Sequence, residues 1–99
     1  MTESPMTESR FEWDANKAVG NLRRHRVSFG EASTVFDDPM FIAFVDEDHS
    51  KDEERYVTTG ISKSGRLLVV AHTDRHGQIR IISARKATRR EARFYAKIK

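Results

Sequence analysis

The chain has 99 residues, no cysteine, 33% charged side chains and a formal net charge of +3. That length fits one domain around a single core. The missing cysteine excludes disulfides and thiolate metal sites, and no apolar run nears the roughly 20 residues that span a bilayer.

Residues 1–10 read as a disordered tail. The unit Met-Thr-Glu-Ser occurs at Met1–Ser4 and again at Met6–Ser9, and nothing in it is apolar enough to dock. A single domain is therefore expected over residues 11–99. Phe11-Glu12-Trp13 reads as a short aromatic strand. Asp14 stands where an N-cap belongs, and Ala15–His25 is rich in helix formers. Ala18, Leu22 and His25 have the spacing of an inner face, with Lys17, Asn21 and Arg24 on the other. Ser28 and Glu31 make a capping box for a second helix, with Val27 and Ala32 as its hydrophobic staple. Phe29, Ala32 and Phe36 would be its buried stripe. Asp37-Asp38-Pro39 ends it, since proline disfavours helical backbone in the residue before it.

From Met40 the period changes. Met40–Val45 is a continuous apolar run of strand length, followed by the acidic stretch from Asp46 to Glu54. Three strands come next, Arg55–Ile61, Arg66–Thr73 and Gln78–Ala84, with Ser62–Gly65 and Asp74–Gly77 as hairpin loops. A last helix is expected over about Lys86–Ile98, with Ala87, Phe94 and Ile98 facing inward. The order predicts an α+β fold: a four-stranded antiparallel sheet, plus the short N-terminal strand, packed with two N-terminal helices and one C-terminal helix. The strands around Leu67–Ala71 and Ile79–Ile82 are apolar on both parities, so both faces of the sheet want cover. Three short helices leave some of that surface for a partner protein.

Charge narrows the function. Residues 1–54 carry 6 Lys/Arg against 13 Asp/Glu, and residues 55–99 carry 12 against 2. From Arg85 onward there are seven basic side chains and one acid, Glu91. Such a surface suits a polyanion. The plainer alternative is that the two halves neutralise each other across the fold. Metal chemistry finds little support. The loop from Asp46 opens like a calcium loop, with Asp46, Asp48 and Ser50. Lys51 then stands where glycine is required and Val57 where the bidentate glutamate belongs. His25, His49, His72 and His76 form no His-x-x-x-His pair. No metal or other cofactor is expected.

Cleavage of RNA asks for no more than the basic half offers. The substrate's own 2′-hydroxyl attacks, so the protein supplies a base, an acid and cations around the phosphate. Arg85, Arg80, Glu91, Tyr95 and His72 are the candidate catalytic residues, and Arg55, Arg66, Lys86, Arg89 and Arg90 the candidate RNA-binding cations. Arginine suits these roles because its planar fork grips two phosphate oxygens. Each has a plainer role beside it. His72 alternates with Leu68 and Val70 as a core histidine would, Glu91 can serve only to pair with arginines, and Tyr95 can be a packing residue. Arg89, Arg90, Arg93, Lys97 and Lys99 fit a solvated helix face. Arg85 sits at the strand-to-helix junction, where both elements hold it.

A set of pieces, in order along the chain, carries a family resemblance. The matching pieces are Phe11-Glu12-Trp13-Asp14 with Lys17, Asn21–His25, Val27-Ser28-Phe29 with Glu31-Ala32, and Phe36–Pro39. They continue with Asp48-His49, Glu54-Arg55-Tyr56, Gly60, Gly65–Val70, Ile79–Thr88, Glu91 and Tyr95. This ordered set resembles the BrnT family of toxins from bacterial type II toxin–antitoxin pairs, and the resemblance implies a RelE-like fold, metal-independent endoribonuclease activity leaving 2′,3′-cyclic phosphate ends, and inhibition of translation in the cytoplasm. It also implies a BrnA-like ribbon-helix-helix antitoxin, with operator DNA bound only through that partner. Carried over by motif, Arg55, Arg66, Arg85, Glu91 and Tyr95 fall at functional positions. A non-catalytic RNA- or ribosome-binding module, or a protein that only binds the antitoxin, stands as the alternative.

Overall fold

The computed structural model describes residues 10–51 and 53–98. Strand β1 (Phe11–Glu12) leads into helices α1 (Ala15–His25) and α2 (Phe29–Ser33). A 3₁₀ turn (Thr34–Asp37) precedes β2 (Ile42–Val45), and another (Glu47–His49) lies on the way to β3 (Arg55–Ile61). Then follow β4 (Leu67–Arg75), β5 (Gln78–Lys86) and α3 (Arg89–Lys97). The expected tail lies outside the described residues except for Arg10, whose carbonyl accepts the Ile79 N–H at 2.7 Å. Among the described residues no helix is long and apolar enough to cross a membrane.

The α+β class is as expected, with one difference in the sheet. Its five strands run in the order β1-β5-β4-β3-β2. β2 to β5 form the antiparallel meander, but β1 joins the β5 edge in parallel, Phe11 beside Ile79 and Glu12 beside Arg80. Parallel pairing needs a connection of at least a dozen residues, and here most of the chain lies between the two strands. The β4–β5 turn is tighter than expected, only His76 and Gly77, both with positive φ as a type I′ turn requires.

One face of the sheet, called inner here, is closed by α1, α2 and the first 3₁₀ turn. Val27, Phe29, Ala32 and Val35 meet Leu68, Val70, Ile81 and Ala84 in a buried core. Close approach depends on Gly60, where a Cβ would lie 2.9 Å from Val35 Cγ1. Three helix expectations change. The chain tightens after Ser33, so Val35 rather than Phe36 enters the core, and Phe36 is half-buried against Phe11, Phe41 and His72. α1 turns Asn21 inward at 1% exposure while Leu22 is 49% exposed. Asn21 Nδ2 donates to the Val27 and Ala84 carbonyls at 2.9 and 2.8 Å, and Oδ1 accepts the Ala84 N–H at 3.1 Å. β1 covers only the lower part of the β5 edge, and Asn21 satisfies backbone groups above it that leucine would leave unpaired.

α3 is the third change. β5 runs on to Lys86, and Thr88 caps the helix in a capping box with Glu91. That start sets the helix phase, so Tyr95, one turn beyond Glu91, faces the sheet, while Phe94 and Ile98 stand half in solvent. The helix lies over the upper end of the outer face. The lower end is uncovered, in line with the expectation of too few helices for both faces.

Candidate functional site

The register brings arginines onto the outer face by an irregularity. Arg80 and Arg85 are five residues apart, which in a regular strand points them to opposite faces. β5 carries a bulge opposite Ala71 and His72, so Arg85 pairs with Val69 and Arg80 with Thr73, residues of one parity. Both arginines therefore share the outer face with Arg55, which is also in register with Thr73.

At the lower end of that face lies an open pocket of about 350 Å³. Arg55, Arg75, Arg80 and Thr73 form its floor, Lys17 reaches in from α1, and His49 and Lys51 overhang it from the acidic connection. The connection is tied down at several points. The Asp46 N–H donates to the Arg55 carbonyl at 2.7 Å. The Ser50 hydroxyl donates to the Asp46 carbonyl at 2.6 Å and accepts the Arg55 N–H at 2.8 Å. Arg75 grips Glu53 through two hydrogen bonds of 2.9 and 3.0 Å, which hold that carboxyl below the usual carboxylate range. Arg80 reaches Glu12 at 3.4 Å. Arg55 has no ion pair among the described residues. Neutralisation across the fold is thus real but partial: Glu12, Glu53 and Glu31 each engage an arginine of the basic half.

The other candidate residues scatter. Arg85 forms a two-pronged ion pair with Glu91 at 2.8 and 2.9 Å, and Glu91 also accepts the Thr88 N–H. These contacts, Arg85 first, pull the Glu91 carboxyl down to about 2. Along β5 the pair stands roughly 15 Å from Arg80, at about 3.3 Å per residue. Tyr95 is 4% exposed and its hydroxyl donates to Asp38; burial first and that bond second push the phenol up to about 12. His72 is on the inner face, stacked on Tyr56, with Thr58 Oγ1 2.7 Å from its Nε2. Burial holds its imidazole below the usual range, against a smaller upward pull from Asp74. The sheet stands between His72 and the arginines. Arg66 is clasped by Glu31 and also donates to the Arg26 carbonyl. Arg89 and Arg90 are exposed on α3, and Lys86 is exposed in register with Leu68.

Above the pocket, between α3 and β2, runs an apolar groove of about 430 Å³ lined chiefly by Ile42, Phe44, Val57, Val69 and Phe94, with Arg90 and Glu91 at its rim. Phe44 and Phe94 face each other across it with ring centroids 6.1 Å apart.

Sequence reasoning passed over Lys17, His49 and Arg75. The run Asp46-Glu47-Asp48-His49 read as acidic loop, and nothing in its spacing shows that the turn folds back beside Arg55. Arg75 was hidden inside the expected hairpin loop, because β4 extends two residues further.

Comparison with known proteins adds the following. A family model described as "Ribonuclease toxin, BrnT, of type II toxin-antitoxin system" matches residues 13–91. Among solved structures, the ribonuclease toxin BrnT of Brucella abortus superposes with a TM-score of 0.57 at 20% identity, covering 78% of this chain and 94% of that one. That likeness is one of fold. No curated protein matches the sequence.

Proposed function

The chain belongs to the BrnT family, ribonuclease toxins of type II toxin–antitoxin systems, and from that premise we propose that it is an endoribonuclease whose cleavage needs no metal ion. The family implies an RNA substrate and an antitoxin partner. The observation that carries the finer reading is the pocket on the lower outer face, where Arg55, Arg75 and Arg80 converge. Three guanidinium groups and two lysines outnumber Asp48 and Glu53 around a space open to solvent. A phosphodiester entering it displaces the half-buried Glu12 from Arg80 and meets Arg55, which holds no ion pair among the described residues. Arginines so placed offset the charge that builds on the non-bridging oxygens as the 2′-oxygen attacks.

In this scheme Arg55 and Arg80 hold the reacting phosphate. Arg85, oriented by Glu91, binds the strand further along, with Lys86, Arg89 and Arg90 adding electrostatic attraction that weakens with salt. Glu91, as a carboxylate pinned near pKa 2, serves as a positioning residue and not as a base. Tyr95 anchors α3 to Asp38. The products are a 2′,3′-cyclic phosphate and a 5′-hydroxyl, and the consequence in the cytoplasm is arrested translation. A BrnA-like antitoxin of the ribbon-helix-helix type covers the apolar groove, where Phe44 and Phe94 would take the apolar side of an amphipathic segment. Operator DNA is bound through that antitoxin alone.

The test is cleavage of total RNA by antitoxin-free protein in EDTA, beside Arg55→Ala and Arg85→Ala. Cleavage by the wild type that falls about 10²–10³-fold in Arg55→Ala supports the assignment. Equal cleavage by all three moves the site elsewhere. Inactivity of the wild type on free RNA and on translating ribosomes favours a binding module.

A further inference from the structure

Resting on the ribonuclease reading above, we infer that His49 is the general base of the cleavage reaction, and that Asp46 is its positioning residue. The 3₁₀ turn Glu47–His49 is held to β3 by Ser50, whose hydroxyl bridges the Asp46 carbonyl and the Arg55 N–H. One side of that turn therefore keeps a fixed place beside the arginine floor. His49 Nδ1 lies 3.0 Å from Asp46 Oδ2. A carboxylate can only accept, so Nδ1 carries the hydrogen, and in the neutral ring the lone pair is then on Nε2, the form a base must have. The His49 side chain is 63% exposed, its Nε2 has no hydrogen-bond partner among the described residues, and the ring lines the pocket with Arg55 and Arg80.

The proton carriers proposed from the sequence lack this combination. His72 lies behind the sheet, Glu91 is held by Arg85, and the Tyr95 hydroxyl by Asp38. An imidazole oriented by a carboxylate is the arrangement that lets a histidine take and release a proton without losing its tautomer.

The step runs as a transesterification. Nε2 of His49 takes the proton of the 2′-hydroxyl while O2′ forms its bond to phosphorus. The P–O5′ bond breaks with its electron pair on O5′, and that oxygen takes a proton from water in the open pocket. Arg55 and Arg80 face the non-bridging oxygens throughout. The imidazolium then returns its proton to solvent, so atoms and charge balance over one turnover.

Three variants test this in EDTA under single-turnover conditions, on RNA or, where the wild type requires them, on translating ribosomes. His49→Ala is expected to lower the rate at saturating protein by about 10²-fold or more, the usual range for a lost general base. RNA affinity then stays within about 2-fold, since the interaction exists only in the transition state. Added imidazole restores part of the rate, which no structural role explains. His49→Gln keeps a side chain able to donate to Asp46 but has no basic nitrogen, and it shows the same loss with an unchanged melting temperature. Asp46→Asn loses less, about 10-fold, and imidazole does not restore it. A His49→Ala rate equal to wild type overturns the inference and leaves the ribonuclease reading standing. So does a loss that follows RNA affinity and is indifferent to imidazole. Wild-type protein that cleaves neither free nor ribosome-bound RNA overturns both.

Discussion

The two faces of the sheet treat polar groups in opposite ways. On the inner face they are few and buried, and most are spent on the fold: Asn21 binds three backbone groups, and Thr58 meets His72 at 2.7 Å, with His72 Nδ1 left unpartnered among the described residues. On the outer face they are many and half in water, and Arg75 and Arg80 hold only partly exposed carboxylates that a stronger anion can replace. A buried polar group left unpaired costs about 1–3 kcal/mol, whereas an exposed ion pair contributes 0–1 kcal/mol. The same chemical types therefore report stability on one face and availability on the other. Arg66 belongs with the first kind, since Glu31 and the Arg26 carbonyl both claim it.

The sharpest way to break this contrast is to exchange its effects. Asn21→Leu keeps helix propensity but strands the Val27 and Ala84 carbonyls and the Ala84 N–H. A loss of about 3–5 kcal/mol is expected in urea unfolding, a large part of the 5–15 kcal/mol typical of a domain. A loss under 1 kcal/mol would mean that water replaces the amide and that the inner face is less closed than its burial indicates. Arg55→Ala and Arg80→Ala should do the reverse, costing about 10²–10³-fold in cleavage each with the unfolding midpoint unmoved. If either variant melts early, its arginine belongs with Arg66.

Phe94→Asp probes the upper outer face. It places a carboxylate in the apolar groove, so antitoxin affinity should fall by roughly 10-fold or more in a titration, with RNA cleavage unchanged. Loss of cleavage without loss of antitoxin binding would exchange the roles assigned to the two ends. The smallest effect is expected from Glu91→Gln. The Glu91 carboxyl is depressed from 4.5 to about 2 in the fold, so its stabilising contribution is present above pH 4.5 and fades as pH falls toward about 2. Partial exposure of the pair keeps that contribution small. The variant should flatten the acid limb of the stability profile over that window, and an unchanged limb would show that Arg85 gains as much from solvent.

The sequence was most legible where one local rule sets the outcome. Ser28 with Glu31, and the apolar strands separated by turn signals, predicted the α2 start and the meander. The helix faces were harder. Apolar spacing marks Leu22 as buried, but the bare upper edge of β5 calls for an amide, and that edge exists only once β1 has paired below it. Phe94 and Ile98 failed similarly, because the Thr88 box starts the helix three residues after the expected point. For the candidate site, the arginine types were legible and their grouping was not. The bulge that brings Arg80 and Arg85 to one face breaks the period-two rule on which sequence reading depends. The partnership of Asp46 with His49 was in plain sight at three-residue spacing; only the fold puts it beside Arg55.

Asn21 has one more effect. By occupying the backbone groups of Ala84, it caps the β5 side of the sheet against any incoming strand. β2, at the other end, has Ile42–Val45 paired on one side only, with Phe41, Phe44 and Val45 exposed along it. The longer open border of the sheet is therefore the β2 edge. A sticky border of this kind drives self-association unless something covers it, so protein without a partner on that edge should be the form that aggregates.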